Sequence, residues 1–262
     1  MDVTPDLIAF AEELAAVARV ETLERWASSV AADDKGTGLY DPVTDADREA
    51  ERAMRDLITS RYPDHGVTGE EWPDQAASGP YSWSLDPVDG TRSFICQLPN
   101  WVTLAGLLHS EQAVLGLIDA PCLNELYIGH GSEAWLITGR SRTRIRTSDC
   151  TDIADARLST TDPFLFKDGS EDAFEALRRS VRVTRYGHDG YAYARVAAGS
   201  LDLVIEAGLK PHDYNVLVPV IRGAGGVIGD WGGGEDFTDG KIIAAATREL
   251  YEEAVRAFEA FA

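Results

Sequence analysis

The sequence predicts a mixed fold, α+β in its first half and α/β in its second. Three observations carry this. Tyr81, Trp83 and Leu85 alternate as a strand with one buried face. Residues 101–109 and 112–119 read as a β-hairpin around Ser110-Glu111, with more antiparallel strands behind it. Beyond residue 150, strand and helix patterns alternate, which suggests an α/β layer. The chain has 262 residues, 44% of them apolar, enough for one large domain or two small ones with substantial cores. We place a boundary near residue 150: 1–150 is an α+β half carrying most of the candidate ligands, and 151–262 is an α/β half carrying the rest. The active site is expected between them.

The elements follow from local pattern. Residues 5–31 predict a long helix, because Thr4 can cap it, Pro5 suits its first turn, and Leu7, Phe10, Ala11, Leu14, Val17 and Ala18 share one face. A polar, glycine-containing loop spans 33–38. A second helix is predicted from Ala46 to Arg61, with Met54, Leu57 and Ile58 inward and Tyr62-Pro63-Asp64-His65-Gly66 as its stop. Val67 to Trp72 reads as a short strand and turn ending in paired acids. Strands are expected at 123–129, 133–138 and 142–147. In the second half, strands at 157–161, 181–185, 201–206, 227–228 and 241–246 alternate with helices at 171–180, 190–199, 213–224 and 248–260. The six tryptophans are expected in the core or an interface, and His65, His109 and His130 at the surface.

Bulk properties narrow the function. No stretch approaches the ~20 apolar residues of a membrane span, and Met1-Asp2-Val3-Thr4-Pro5-Asp6 lacks the regions of a signal peptide. Cys96, Cys122 and Cys150 are odd in number and far apart, so neither a disulfide framework nor a zinc cluster is expected. A reducing, cytoplasmic setting is the simplest expectation. The formal charge of −20 repels nucleic acid and anionic membranes. It would also repel a phosphate ester, unless bound divalent cations supply local positive charge.

The most informative turn is Asp86-Pro87-Val88-Asp89-Gly90-Thr91. Two carboxylates flank the Val88 carbonyl, Pro87 fixes φ, and Gly90 lets the backbone approach a ligand. Such a turn can aim Asp86, the Val88 carbonyl and Asp89 at one point, an all-oxygen set of the kind magnesium prefers. The Gly90 and Thr91 amides would then face an anion at a helix start. The same letters also describe an ordinary turn. Asp41 to Asp47, Gly69-Glu70-Glu71 and His212-Asp213 are further acidic turns, and each has an ordinary reading: a cap, a solvated turn, and a cap.

In order and spacing, Gly69-Glu70-Glu71, Asp86-Pro87-Val88-Asp89-Gly90-Thr91, and Asp213 with Ala224-Gly225-Gly226 resemble the inositol monophosphatase family of magnesium-dependent, lithium-sensitive phosphatases. The likeness runs from about Val43 to Gly233. It implies a layered αβαβα sandwich and a homodimer. It implies two or three Mg²⁺ ions, replaceable by Mn²⁺, on Glu70, Asp86, the Val88 carbonyl, Asp89 and Asp213. It implies that Glu70 and Thr91, with the Thr91 hydroxyl near Asp47, orient the attacking water. Glu206 matches a substrate-contacting position, and Lys35 a basic residue of a loop near the metals.

Around these motifs the wording resembles the histidinol-phosphate phosphatase branch, notably Leu209-Lys210-Pro211 through Val218-Pro219-Val220. His212 stands where most of the family carries tryptophan, and His188 and Gly190 depart from the branch's substrate segment. The substrate-side candidates are Gly90, Thr91, Arg185, His188, Asp189 and Glu206. An ammonium group needs carboxylate partners when buried, and Asp189 and Glu206 are the pair available; Asp189 reads equally as a helix cap. The expected activity is hydrolysis of a small phosphate ester, histidinol phosphate first and inositol 1-phosphate next. Sugar bisphosphates and 3′-phosphonucleotides are alternatives, for which only Arg178, Arg179, Arg182 and Arg185 could meet a second phosphate. A metal-dependent binding protein without chemistry is the non-enzymatic alternative.

Overall fold

The computed structural model describes residues 3–28, 32–34, 36 and 42–261. Its elements, in chain order, are α1 (Pro5–Trp26), β1 (Ala32–Asp34), β2 (Pro42–Thr44), α2 (Asp45–Arg61), β3 (Gly66–Gly69), β4 (Tyr81–Asp89), the single-turn α3 (Thr91–Ile95), β5 (Val102–His109), β6 (Gln112–Ala120), β7 (Glu125–His130), β8 (Glu133–Thr138) and β9 (Ser141–Ile145). There follow β10 (Arg157–Thr160), α4 (Ser170–Ser180), β11 (Val183–Tyr186), α5 (Asp189–Ala197), β12 (Leu203–Glu206), α6 (Pro211–Gly223), β13 (Val227–Asp230), β14 (Ile242–Ala245) and α7 (Arg248–Phe258).

Strands β3 to β9 form one seven-stranded sheet in sequence order, antiparallel except for the parallel β3–β4 pair. The second sheet has the order β11-β10-β12-β14-β13, parallel across its first three strands and antiparallel across the rest. Three of the four apolar clusters among the described residues lie between five layers. Leu7, Phe10, Leu14, Met54 and Ile58 of α1 and α2 pack on Trp83, Leu85 and Leu107 of the first sheet. Helices α5 and α6 fill the middle, touching Leu104 and Ile118 on one side and Val204 and Ala244 on the other. Phe174 of α4 and Leu250, Ala254 and Phe258 of α7 cover the outer face of the second sheet. The layered αβαβα sandwich is therefore observed.

Several expectations need correction. The first helix ends at Trp26, not 31, and 29–31 lie outside the described residues. Strand β4 has two buried faces, because helices cover both sides of its sheet: Ser84 and Asp86 are buried along with Trp83 and Leu85. It also runs on through the expected turn to Asp89, with an irregular register between Asp86 and Asp89. His65 is buried, where its Nδ1 accepts a hydrogen bond from Trp83 Nε1 at 3.1 Å. Trp83, Trp101 and Trp231 are core residues, whereas Trp72 is exposed. All three cysteines are free.

Pro219 lies inside α6 without ending it. It has no N–H for the carbonyl of Asn215, one turn back. That carbonyl faces the sheet at Gly106, where a Cβ would sit 3.1 Å from it. The same helix crosses Gly116 and Gly129 even more closely: a Cβ on Gly116 would stand 2.0 Å from the Val216 carbonyl oxygen. A glycine stripe in the sheet thus lets α6 lie against the strand backbones.

Candidate metal and substrate site

Three separate segments deliver the acids. Glu70 follows β3. Asp86, Val88 and Asp89 belong to the irregular end of β4, and Asp213 lies in the first turn of α6. The β4 end is tied down on both sides. Asp86 Oδ1 accepts from the Val88 amide at 3.1 Å, and Thr103 Oγ1 donates to the Pro87 carbonyl at 2.7 Å. The Val88 side chain is buried against Phe94 and Trp101, while Gly90 takes the left-handed φ of 87° that begins α3. Ser84 Oγ donates to the Pro211 carbonyl at 3.3 Å, joining the start of α6 to β4. The Asp213 carboxylate closes a bond to the Lys210 amide at 2.7 Å.

The result is two overlapping groups. Carboxylate oxygens of Asp86, Asp89 and Asp213 all lie within 4.8 Å of one another, and so do ligand atoms of Glu70, Asp86 and His212. Burial pushes Asp86 well above the usual carboxylate range, and repulsion from Glu70, Asp89 and Asp213 adds to it. Asp89 is raised for the same first reason, with repulsion from Asp189 and Asp213, against a hydrogen bond from the Gly190 amide. Asp213 is also raised by burial, opposed chiefly by His212. Several buried oxygens carrying mutually repelling charge form a donor set that fits a hard divalent cation.

Next to the acids lies a cavity of about 190 Å³. Asp89 and Asp213 line it, as do Asp189, Gly190, Tyr193 and Glu206, and its walls contain no lysine, arginine or histidine among the described residues. Glu206 ends β12 and is held by the Thr161 amide at 2.7 Å and the Thr161 hydroxyl at 3.0 Å. Burial nevertheless pushes it up to about 8. Asp189 opens α5 with φ 44°, and burial raises it to about 6 against the pull of Arg92. Tyr193 is 1% exposed, and its hydroxyl has no hydrogen-bond partner among the described residues.

Other candidates sit elsewhere. Arg185 is exposed on β11, and His188 faces Ser159, its Nδ1 3.4 Å from Ser159 Oγ; neither lines the cavity. Asp47 closes the capping box of α2, accepting from the Thr44 amide at 2.8 Å and the Thr44 hydroxyl at 2.6 Å. The Thr91 hydroxyl donates to the Val88 carbonyl at 3.1 Å. Lys35 lies outside the described residues. Arg178 pairs with Glu175 on α4.

Sequence reading missed Glu51. It is fully buried, paired with Arg55 at 2.8 Å, and accepts from the amides of Glu71 at 2.8 Å and Trp72 at 3.3 Å. It therefore fixes the turn that presents Glu70. The signal was available: Glu51 sits on the helical face of Met54 and Ile58, where a carboxylate needs a reason.

A family model described as the inositol monophosphatase family matches residues 5–261. The chain belongs to the inositol monophosphatase family. Members of this family are metal-dependent phosphatases. The Arabidopsis thaliana bifunctional phosphatase IMPL2, a chloroplastic protein, is 42% identical over 229 residues, 83% of this chain and 65% of that protein, slightly under two thirds of its length. A histidinol-phosphatase of Chlorobaculum parvum is 30% identical over 80% of both chains. Among solved structures, an inositol monophosphatase from Zymomonas mobilis superposes with a TM-score of 0.85 at 35% identity, covering 99% of this chain and 100% of that one. No helix among the described residues is long and apolar enough to cross a membrane.

Proposed function

We propose that this protein hydrolyses a small phosphate monoester carrying an ammonium group, with histidinol phosphate as the substrate and Mg²⁺ as the metal. The observation that carries this reading is the joint lining of one cavity. Two cation-site acids, Asp89 and Asp213, share its wall with two further carboxylates, the half-buried Asp189 and the buried Glu206. An ammonium seated between those two offsets the desolvation that raises them, whereas the hydroxyls of an inositol bring no charge to do so. The buried Tyr193 hydroxyl offers a polar substrate one more partner.

Glu70, Asp86, the Val88 carbonyl, Asp89 and Asp213 are the ligands in this reading. Bound divalent ions supply charge neutralisation for the ester and acidify the attacking water. The protein's own groups do the rest. Thr91 keeps lone pairs on its hydroxyl oxygen to accept from a water, because its hydrogen is committed to Val88. Glu70 takes that water's proton, with its turn fixed by Glu51. The amides of Gly90 and Thr91 hold the phosphate. Asp47 acts through the backbone entry to α2. The family resemblance supports a homodimer, which sedimentation checks.

Purified protein assayed with Mg²⁺ against histidinol phosphate and inositol 1-phosphate decides the substrate. We expect the higher kcat/KM for histidinol phosphate and none for either ester in excess EDTA. A ten-fold preference for inositol 1-phosphate overturns the substrate, and full activity in EDTA overturns the mechanism.

A further inference from the structure

The two overlapping ligand groups are chemically unequal. Asp86, Asp89 and Asp213 offer only oxygen. Glu70 and Asp86 are joined by the imidazole of His212, whose ring nitrogen lies within 4.8 Å of their carboxylate oxygens. His212 precedes Asp213 in the first turn of α6, so one helix start feeds a ligand to each group. Its side chain is 20% exposed, open to an entering ion yet held in place. It is the one histidine among the described residues that joins either group.

We propose that His212 is a nitrogen ligand of the cation position it shares with Glu70 and Asp86, so that this position accepts borderline metals while its neighbour remains an all-oxygen position. The inference rests on the metal-dependent reading above and deepens it. Carboxylate oxygens suit magnesium and manganese, whereas imidazole favours cobalt, nickel and zinc. A histidine at one position of a pair therefore separates their preferences. Asp86 belongs to both groups and would bridge them. The competing role for His212 is a simple ion pair with Asp213, whose Oδ1 lies 3.8 Å from Nε2.

Mn²⁺, added to saturation so that both positions fill, is the probe, because it is paramagnetic. Pulsed electron paramagnetic resonance on the full chain loaded with Mn²⁺ should show a directly coordinated ¹⁴N, replaced by ¹⁵N when histidine is labelled. In His212→Gln and His212→Phe the nitrogen coupling should vanish while Mn²⁺ stays bound. Co²⁺ affinity should fall about ten-fold or more, with Mg²⁺ affinity changed much less. Bound Mn²⁺ without nitrogen coupling in the unsubstituted protein overturns the role of His212 and leaves the metal reading intact. Mn²⁺ that stays free in solution overturns both. The unsubstituted protein gives the deciding signal, so a variant that fails to fold does not block the test.

Discussion

At the scale of residues, charge and burial set the behaviour of the cavity. Asp89→Asn removes a charge shared between the cation group and the cavity wall, and should lower kcat by at least ~10²-fold. Isothermal titration should show weaker Mg²⁺ binding in the same variant, and unchanged turnover would remove Asp89 from the site. Glu206→Gln should raise KM for histidinol phosphate while leaving a neutral-alcohol ester such as glycerol phosphate nearly unaffected; equal effects on both esters would deny it the ammonium. Glu206 also gives a pH signature. Its proton is held up to about 8 in the native chain and more weakly in the unfolded one. The native state therefore binds more protons between those two values, and stability must fall as pH rises through that window. Asp47, at about 7, and Asp189, at about 6, act in the same sense. In EDTA, Tm should drop between pH 5 and pH 8.5, and drop less in Glu206→Gln. A flat profile would mean that these acids ionise freely.

At the scale of elements, helix α6 is the part to perturb. Gly116→Ala puts a methyl against the Val216 carbonyl and should cost about 1–3 kcal/mol as the helix backs away from the sheet. Because Asp213 rides on that helix, Mg²⁺ affinity should fall together with Tm. A loss of Tm alone would show that the helix start is anchored independently, through Ser84 and Pro211. How much of this was legible in the sequence follows from where each signal lives. The Asp86-to-Thr91 motif and the long helices announce themselves locally, by spacing and by apolar periodicity, although the strand runs on through the turn expected there. Elements were therefore placed to within a few residues at most ends. The second buried face of β4 was not legible, because it depends on α6 arriving from more than a hundred residues downstream. The meeting of His212 with Glu70 and Asp86 was hidden for the same reason. So was the support Glu51 gives to the turn after β3. That Arg185 and His188 do not line the cavity was not legible either, because a neighbouring motif does not say which way a side chain turns.

At the scale of the molecule, a chain with formal charge −20 gathers several acids in one buried region. Mg²⁺ binding to the native state alone should then raise Tm. At 100 times the dissociation constant the gain is about 2.7 kcal/mol, and several degrees in Tm follow for a chain of this size. Sodium chloride at matched ionic strength should give much less; an equal shift would mean simple screening of surface charge. The wedging of α6 between the two sheets has one more consequence. Asp213 reaches Asp86 and Asp89 only after that helix has docked, and docking needs strands formed from distant parts of the chain. The complete ligand set, Asp213 included, is therefore expected only late in refolding, and a metal-sensitive dye would time the moment at which full affinity arises.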